Sequence, residues 1–259
     1  MPLTLAVVQF EIAPADPERN LRRMEEFIAK AVKKGAQLVV FPEDAICGPL
    51  AGQTAFIKQA PSYLAHFQGL AKKYGVDLVP GSWAVLDGPS LFNTAYYINA
   101  DGTVAGSYRK IHLWETEKAA ITPGNAVSVF PTQFGRVGLI ICWDLSFPPL
   151  FTAMNAQGVE LVISPTYWSF TVPSKEVKSV KEDEILLIDS LCTARAFENN
   201  IVLVYCNAAG ALKAPGVDAV LSGRSQITHP SDKVVAQVDG NAENMLITTV
   251  DLVQKNPAF

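Results

Sequence analysis

The 259-residue sequence has no apolar run approaching the roughly 20 residues that span a bilayer, so no membrane helix is expected. It has no basic excess. Its 21 Lys and Arg stand against 25 Asp and Glu, a net charge of −4, and such a chain lacks the basic face that displaces counterions from nucleic acid. It also lacks metal-ligand spacing. His66, His112 and His229 are scattered, and Cys47, Cys142, Cys192 and Cys206 form no C-x-x-C pair. No metal or cofactor is therefore expected. A chain of this mass buries about 70% of its surface on folding, so it needs no disulfide staples. The N-terminal Met1-Pro2-Leu3-Thr4 has no basic leader segment. A cytoplasmic protein follows as the expectation.

What is present reads as α/β. Leu5-Ala6-Val7-Val8-Gln9-Phe10 is an apolar run of strand length. Asp16-Pro17-Glu18 supplies an N-cap, a first-turn proline and an early acid, and Leu21, Met24, Ile28, Ala31 and Val32 then share one helical face up to Gly35. Gln37–Phe41 completes a β-α-β unit. A helix is expected over 62–74 and strands over 77–86, 93–99 and 103–109, with a loop over 110–125. Val137–Ile141 is a second fully apolar strand, followed by a helix near 149–157 and a strand at 160–163. Residues 165–182 read as a long loop and 183–198 as a helix. Strands follow at 201–205, 219–228, 233–238 and 246–252. Strands apolar on both faces lie between other layers. No linker interrupts the chain, so one domain over 1–259 is expected. Gly35–Pro42 reads like Gly158–Pro165, which suggests two similar halves whose strand ends meet.

In α/β sheets, reactive groups gather beyond the carboxyl ends of strands. Glu43 follows the strand ending at Phe41, Cys142 follows the strand 137–141, and Lys110 ends the returning hairpin strand. A thiol near neutral pH is mostly protonated and needs a base or a cation to act as a nucleophile. Glu43 suits the first need. Lys110 suits the second and could also hold an oxyanion, as could the Trp143 backbone N–H.

Phe41-Pro42-Glu43, Tyr108-Arg109-Lys110-Ile111-His112-Leu113 and Cys142-Trp143-Asp144-Leu145-Ser146-Phe147-Pro148 resemble, in order, the three signatures of the nitrilase superfamily of carbon–nitrogen hydrolases. Ala194–Asn200 and Ser222–Ile227 are also similar to it, so the resemblance spans about residues 4–240. It implies a four-layer αββα sandwich with two mixed sheets, and pairing into a homodimer or higher oligomer. It implies Glu43 as general base, Lys110 as catalytic lysine and Cys142 as nucleophile. It gives Glu117, with Glu115 as competitor, as a second glutamate that orients the lysine. It gives His112 no catalytic part.

The departures bear on substrate. Many amidase-type members carry Arg where Ser146 stands, and often Glu near Pro149. An Arg there suits a substrate carboxylate. Its absence disfavours ω-amides of diacids and N-carbamoyl amino acids. Trp143, Phe147, Tyr167 and Trp168 suggest an apolar-walled pocket, with Trp143 and Trp168 as candidate substrate-binding residues. The expected reaction is hydrolysis of a small-molecule amide to acid and ammonia through a cysteine thioester. Alternatives are nitrile hydrolysis, N-carbamoyl amide hydrolysis, a papain-like Cys–His site using His112 or His229, and a non-catalytic binding protein on the same fold. Asp144, where nitrilases typically have Glu, and the end of the sequence at Phe259 favour amides.

Overall fold

The computed structural model describes residues 2–49, 53–171, 177–214 and 217–253. The chain opens with β1 (Pro2–Gln9), α1 (Pro17–Lys33) and β2 (Leu38–Val40). Asp16 caps α1 by accepting the Arg19 N–H at 3.1 Å, and Pro17 occupies the first turn, where its missing N–H has no consequence. Met24, Ile28 and Ala31 on the inner face are fully buried. Burial of each larger side chain contributes about 1.5–3 kcal/mol. β1 and β2 run parallel, Leu5 opposite Leu38, which makes the first β-α-β unit.

The first half continues with α2 (Ala60–Tyr74), β3 (Asp77–Val79), β4 (Ser82–Asp87), β5 (Ser90–Ile98) and β6 (Val104–Arg109). The second half contains β7 (Ser128–Thr132), β8 (Gly135–Leu139), α3 (Pro148–Asn155), β9 (Leu161–Thr166), β10 (Ser169–Thr171), α4 (Val177–Asn199) and β11 (Val202–Asn207). β12 (Ala211–Ala214), β13 (Val217–Leu221), β14 (Gln226–His229), β15 (Lys233–Gln237) and β16 (Asn244–Asp251) complete it. One mixed sheet has the order β16-β1-β2-β3-β5-β4, with β6 also on β5; the other has β15-β14-β11-β9-β8-β7. β8 and β9 are parallel across α3, the counterpart of the first unit.

Side-chain alternation sets the layers. Leu3, Leu5 and Val7 of β1 join a core with Val137, Leu139 and Val204 of the second sheet. Ala6, Val8 and Phe10, pointing the other way, pack with Met24 and Ile28 of α1 and Phe67 of α2. The Cys206 thiol of β11 lies 3.5 Å from the carbonyl oxygens of both Val8 and Val40, so the sheets face each other directly. α3 and α4 cover the outer side of the second sheet through Phe151, Met154, Ile188 and Cys192. Asp189 fastens α4 there, accepting from Arg224 Nη2 (2.8 Å), Gln226 Nε2 (3.0 Å) and Gln237 Nε2 (2.9 Å). No helix among the described residues is long and apolar enough to cross a membrane.

Several sequence expectations are corrected. The strand expected over 77–86 is two, broken at Pro80-Gly81. Gly81 sits at φ +85, and a Cβ there would lie 1.9 Å from the Pro42 carbonyl oxygen. The strand expected over 219–228 is also two, divided by Gly223 and Arg224, both at positive φ. Its first part joins β10 and β12 in a small third sheet that the alternation of the sequence did not announce. Residues 165–182 are not one loop: β9 runs to Thr166, β10 follows, and α4 begins at Val177. The charges and Pro173 of this stretch give its sequence no helical period ahead of the α4 start. Lys175, Lys178 and Lys181 give this stretch the charge of a solvated face or a dimer contact, with a lid as the alternative; Lys175 and the side chains of Lys178 and Lys181 fall outside the described residues.

Candidate active site

The carboxyl ends of β2, β6, β8 and β9 converge, and each delivers one part of the site. Glu43 follows β2 in a turn where Asp44 takes φ +58, a conformation Asp tolerates. Lys110 follows β6 directly. Its turn is fixed by Gly124, which donates to the Lys110 carbonyl at 2.8 Å and whose Cβ, if present, would lie 2.2 Å from the Arg109 oxygen. Cys142 follows β8 and opens a 3-10 turn, Cys142–Ser146, at φ +48. A non-glycine residue is strained there, and the turn lifts the thiol off the strand end. Tyr167 follows β9.

The charged groups form one buried network. Lys110 Nζ donates to Glu43 Oε1 at 2.8 Å and to Glu117 Oε2 at 2.7 Å. Glu43 and Lys110 are almost wholly buried. The other oxygen of Glu43 accepts the Tyr167 N–H at 3.0 Å. Glu117 Oε2 also accepts the Trp114 N–H at 2.8 Å. Glu115 instead pairs with Lys118 at the surface, so Glu117 is the glutamate that meets the lysine. Glu43, Lys110, Glu117 and Cys142, spread over a hundred positions of sequence, are thus brought to one place.

The electrostatics follow from burial. Desolvation pushes the Glu43 carboxyl up, while Lys110 opposes the rise and Glu117 adds to it. The Cys142 thiol is pushed well up, first by burial and then by the negative charge of Glu43, with Lys110 opposing. Lys110 is itself held firmly protonated, because Glu43, Cys142 and Glu117 outweigh its desolvation. The resting arrangement is therefore a neutral thiol beside an ammonium group and two carboxyl groups.

Trp143 and Trp168 stand together beside Cys142, ring centroids 5.3 Å apart, and Trp114 meets Trp143 edge-on at 4.7 Å. Trp168 is buried and donates its indole N–H to Glu184 Oε1 at 2.6 Å.

Residues 4–256 match the family profile described as Carbon-nitrogen hydrolase. The chain belongs to the carbon–nitrogen hydrolase family. The hydrolase is 30% identical to a probable nitrilase of Schizosaccharomyces pombe, over 99% of this chain and 92% of that protein. It is 28% identical to the 2-oxoglutaramate amidase of Bacillus subtilis, over 97% and 92%. Among solved structures it superposes on an amidase from Nesterenkonia sp. with a TM-score of 0.81 and 28% identity, covering 96% of this chain and 90% of that one. Variants of that amidase have been solved with butyramide bound and with the acetamide moiety of fluoroacetamide joined covalently to the active-site cysteine. The chain is thus an amidase-type member of the nitrilase superfamily on the corresponding mixed α/β fold.

Asn93, Asp144 and His112 take parts in the hydrolase's site that the sequence does not announce. Asn93, on β5, donates to both Glu43 Oε1 (2.9 Å) and Glu117 Oε1 (3.1 Å) and so fixes the two acids relative to each other. An Asn in a strand has no pattern that announces this. Asp144 lies within a quoted signature, yet its work is structural. It is fully buried and accepts from Tyr108 Oη, the Ile141 N–H, the His112 N–H and His112 Nδ1, all within 3.0 Å. His112 also stacks on Phe147 with centroids 3.6 Å apart. Asp144 thereby ties the Cys142 turn to the Lys110 turn, and His112 is a strut in that tie. His229 contacts Ser231 and Asp232 locally, on β14.

Proposed function

We propose that this protein hydrolyses a small-molecule amide to a carboxylic acid and ammonia, with Cys142 as nucleophile, Glu43 as general base, Lys110 as catalytic lysine and Glu117 as the residue that orients Lys110. The observation that carries this reading is Lys110 Nζ held between Glu43 and Glu117 within 2.8 Å of each, beside the thiol of a left-handed Cys142. That the Nesterenkonia amidase takes amide-derived adducts on its cysteine supports the same chemistry here.

In the proposed reaction Glu43 takes the Sγ proton as sulfur attacks the amide carbon. The carbonyl oxygen becomes an oxyanion held by Lys110 Nζ and the Trp143 N–H. Removal of one such donor typically slows a reaction by about 10²–10³-fold. The C–N bond then breaks, and the Glu43 proton leaves with ammonia. Water attacks the thioester, giving a proton to Glu43. The C–S bond breaks, the acid departs and the thiol is restored. The raised thiol explains why the base is needed: the free enzyme does not store a thiolate.

Cys142→Ala is expected to abolish ammonia release from an amide panel, while intact-mass spectrometry of the wild type with a slow amide shows one acyl adduct. Full activity in Cys142→Ala would sink the reading, as would faster turnover of nitriles than of their amides. A cytoplasmic location and a single domain over 1–259 remain part of the proposal. So does a homodimer formed through the apolar face of α4 and β15, where Leu186, Phe197, Val234 and Val235 are exposed.

A further inference from the structure

Beyond Cys142 the Trp143–Trp168 pair leads to a carboxylate that the proposed chemistry does not use. Glu184, half-buried on the first turns of α4, accepts the Trp168 indole N–H through Oε1. Oε2 has no hydrogen-bond partner among the described residues. Trp168 connects this carboxylate to the reaction centre. Its backbone follows Tyr167, whose N–H meets Glu43, and its ring lies against Trp143, the neighbour of Cys142.

A second, independent feature faces the same place. Tyr205, on β11, is fully buried, and its hydroxyl has no hydrogen-bond partner. Cys142, Cys192, Ser222 and, most weakly, Glu184 act on that hydroxyl. Ser222, which also borders it, already donates to the Trp168 carbonyl and accepts from Asn207. A buried hydroxyl left unpaired costs about 1–3 kcal/mol unless something else satisfies it.

The charge balance decides what that something is. Lys110 is matched by Glu43 and Glu117, so Glu184 is an additional anion. Arg195, the buried arginine behind the Cys142 turn, is directed to the Leu145 carbonyl and Glu198. The Cys142–Ser146 turn itself carries no cationic side chain. Indole faces together with a carboxylate form a surface for cations, which gain about 0.5–2 kcal/mol over an aromatic face.

We propose that Glu184, Tyr205 and the Trp143–Trp168 wall form a subsite for an ammonium-type cation on the acyl chain of the substrate, which makes the preferred substrates amides of amino-substituted acids rather than ω-amides of diacids. The ammonium group donates to Glu184 Oε2 and to the Tyr205 oxygen and rests against the indoles. This rests on the amide-hydrolase reading of the site, and the two are separable by experiment. Titration calorimetry on Cys142→Ala measures binding without turnover, using ω-aminoalkanamides with matched alkanamides and ω-carboxyalkanamides. The expected result is at least tenfold tighter binding of the best ω-amino amide than of its alkanamide, with the ω-carboxy amides weakest. Glu184→Gln in that background keeps an acceptor for the Trp168 N–H and should erase the tenfold preference. Tyr205→Phe should reduce it severalfold and serves as the second variant should the first fail to fold. Equal affinity across the three series, tightest binding of the ω-carboxy amides, or a preference untouched by both substitutions would overturn the subsite. Cation-selective binding without ammonia release from any amide by the wild type would overturn the hydrolase reading and leave the subsite standing.

Discussion

At the scale of single residues, the site works by holding one more acid than the lysine can balance. Glu43 is pushed up by burial, and the nearby charge of Glu117 pushes it further. As the proposed base Glu43 must be ionised, so the acidic limb of kcat/KM should fall at a pH above the ordinary glutamate value of about 4.3. Glu117→Gln tests the coupling with a defined sign. It removes a negative charge that disfavours the Glu43 carboxylate, so the proton leaves Glu43 more readily and the acidic limb moves to lower pH. Lys110 loses a partner at the same time, and kcat should drop by roughly 10²-fold. The limb reports a pKa of the coupled cluster rather than of one residue. A pH–rate profile of the variant with the limb unmoved, or moved upward, would contradict this arrangement. Glu43, Lys110, Cys142 and Glu117 were legible because each lies within or just after a distinctive string at a strand end. Asn93 was not, because its function lies in two hydrogen bonds across space that leave no local pattern. His112 was legible as part of a string, but only its stacking on Phe147 and its bond to Asp144 show it to be a strut.

At the scale of elements, close backbone approaches hold the site's turns. The break between β3 and β4 is one. Gly81 lets that break press against Pro42, the residue before Glu43, and Ser82 bridges to Glu43 itself. Gly81→Ala should therefore destabilise the fold by about 3 kcal/mol, since it combines a left-handed alanine with a backbone clash. It should also lower activity more than its stability loss explains, because relief of the clash displaces Glu43. Urea unfolding followed beside ammonia release checks both, and a variant as stable and active as wild type would refute the argument. Periodicity and caps revealed elements whose signals are local: α1 with its Asp16 cap, β1, β2, β8 and β9. They misjudged elements defined by partners. β7 is short and interrupted by Pro131, and it is a strand because β8 pairs with it from Ser128 to Thr132. The β13–β14 division follows from a change of sheet, which alternation cannot register.

At the scale of the whole molecule, two β-α-β units repeat, and the site exists only where they meet. Glu43, Asn93, Lys110 and Glu117 come from the first half. Cys142 and Tyr167 come from the second, and the Tyr167 N–H closes onto Glu43 across the junction. The resemblance of Gly35–Pro42 to Gly158–Pro165 foretold the two units, and the pairing of each in its own sheet bears that out. The layering leaves α4 with two different faces. Inward, Ile188, Cys192 and Ala196 pack on the second sheet, and Glu184 reaches Trp168. Outward, Leu186 and Phe197 are each 66% exposed, three turns apart, beside Val234 and Val235 of β15. Apolar side chains left in water are unfavourable, and in the proposed homodimer a second copy of the same face would cover them. The protein should therefore sediment at about twice its 28.0 kDa. Leu186→Asp combined with Phe197→Asp should shift it to monomer, because four charges would face one another across a two-fold contact that needs roughly 1,200–2,000 Å² of buried surface. Since Glu184 sits less than one turn from Leu186, the monomer should also show altered tryptophan fluorescence from Trp168. A wild type that sediments as a monomer at micromolar concentration would defeat this assignment of the α4 face.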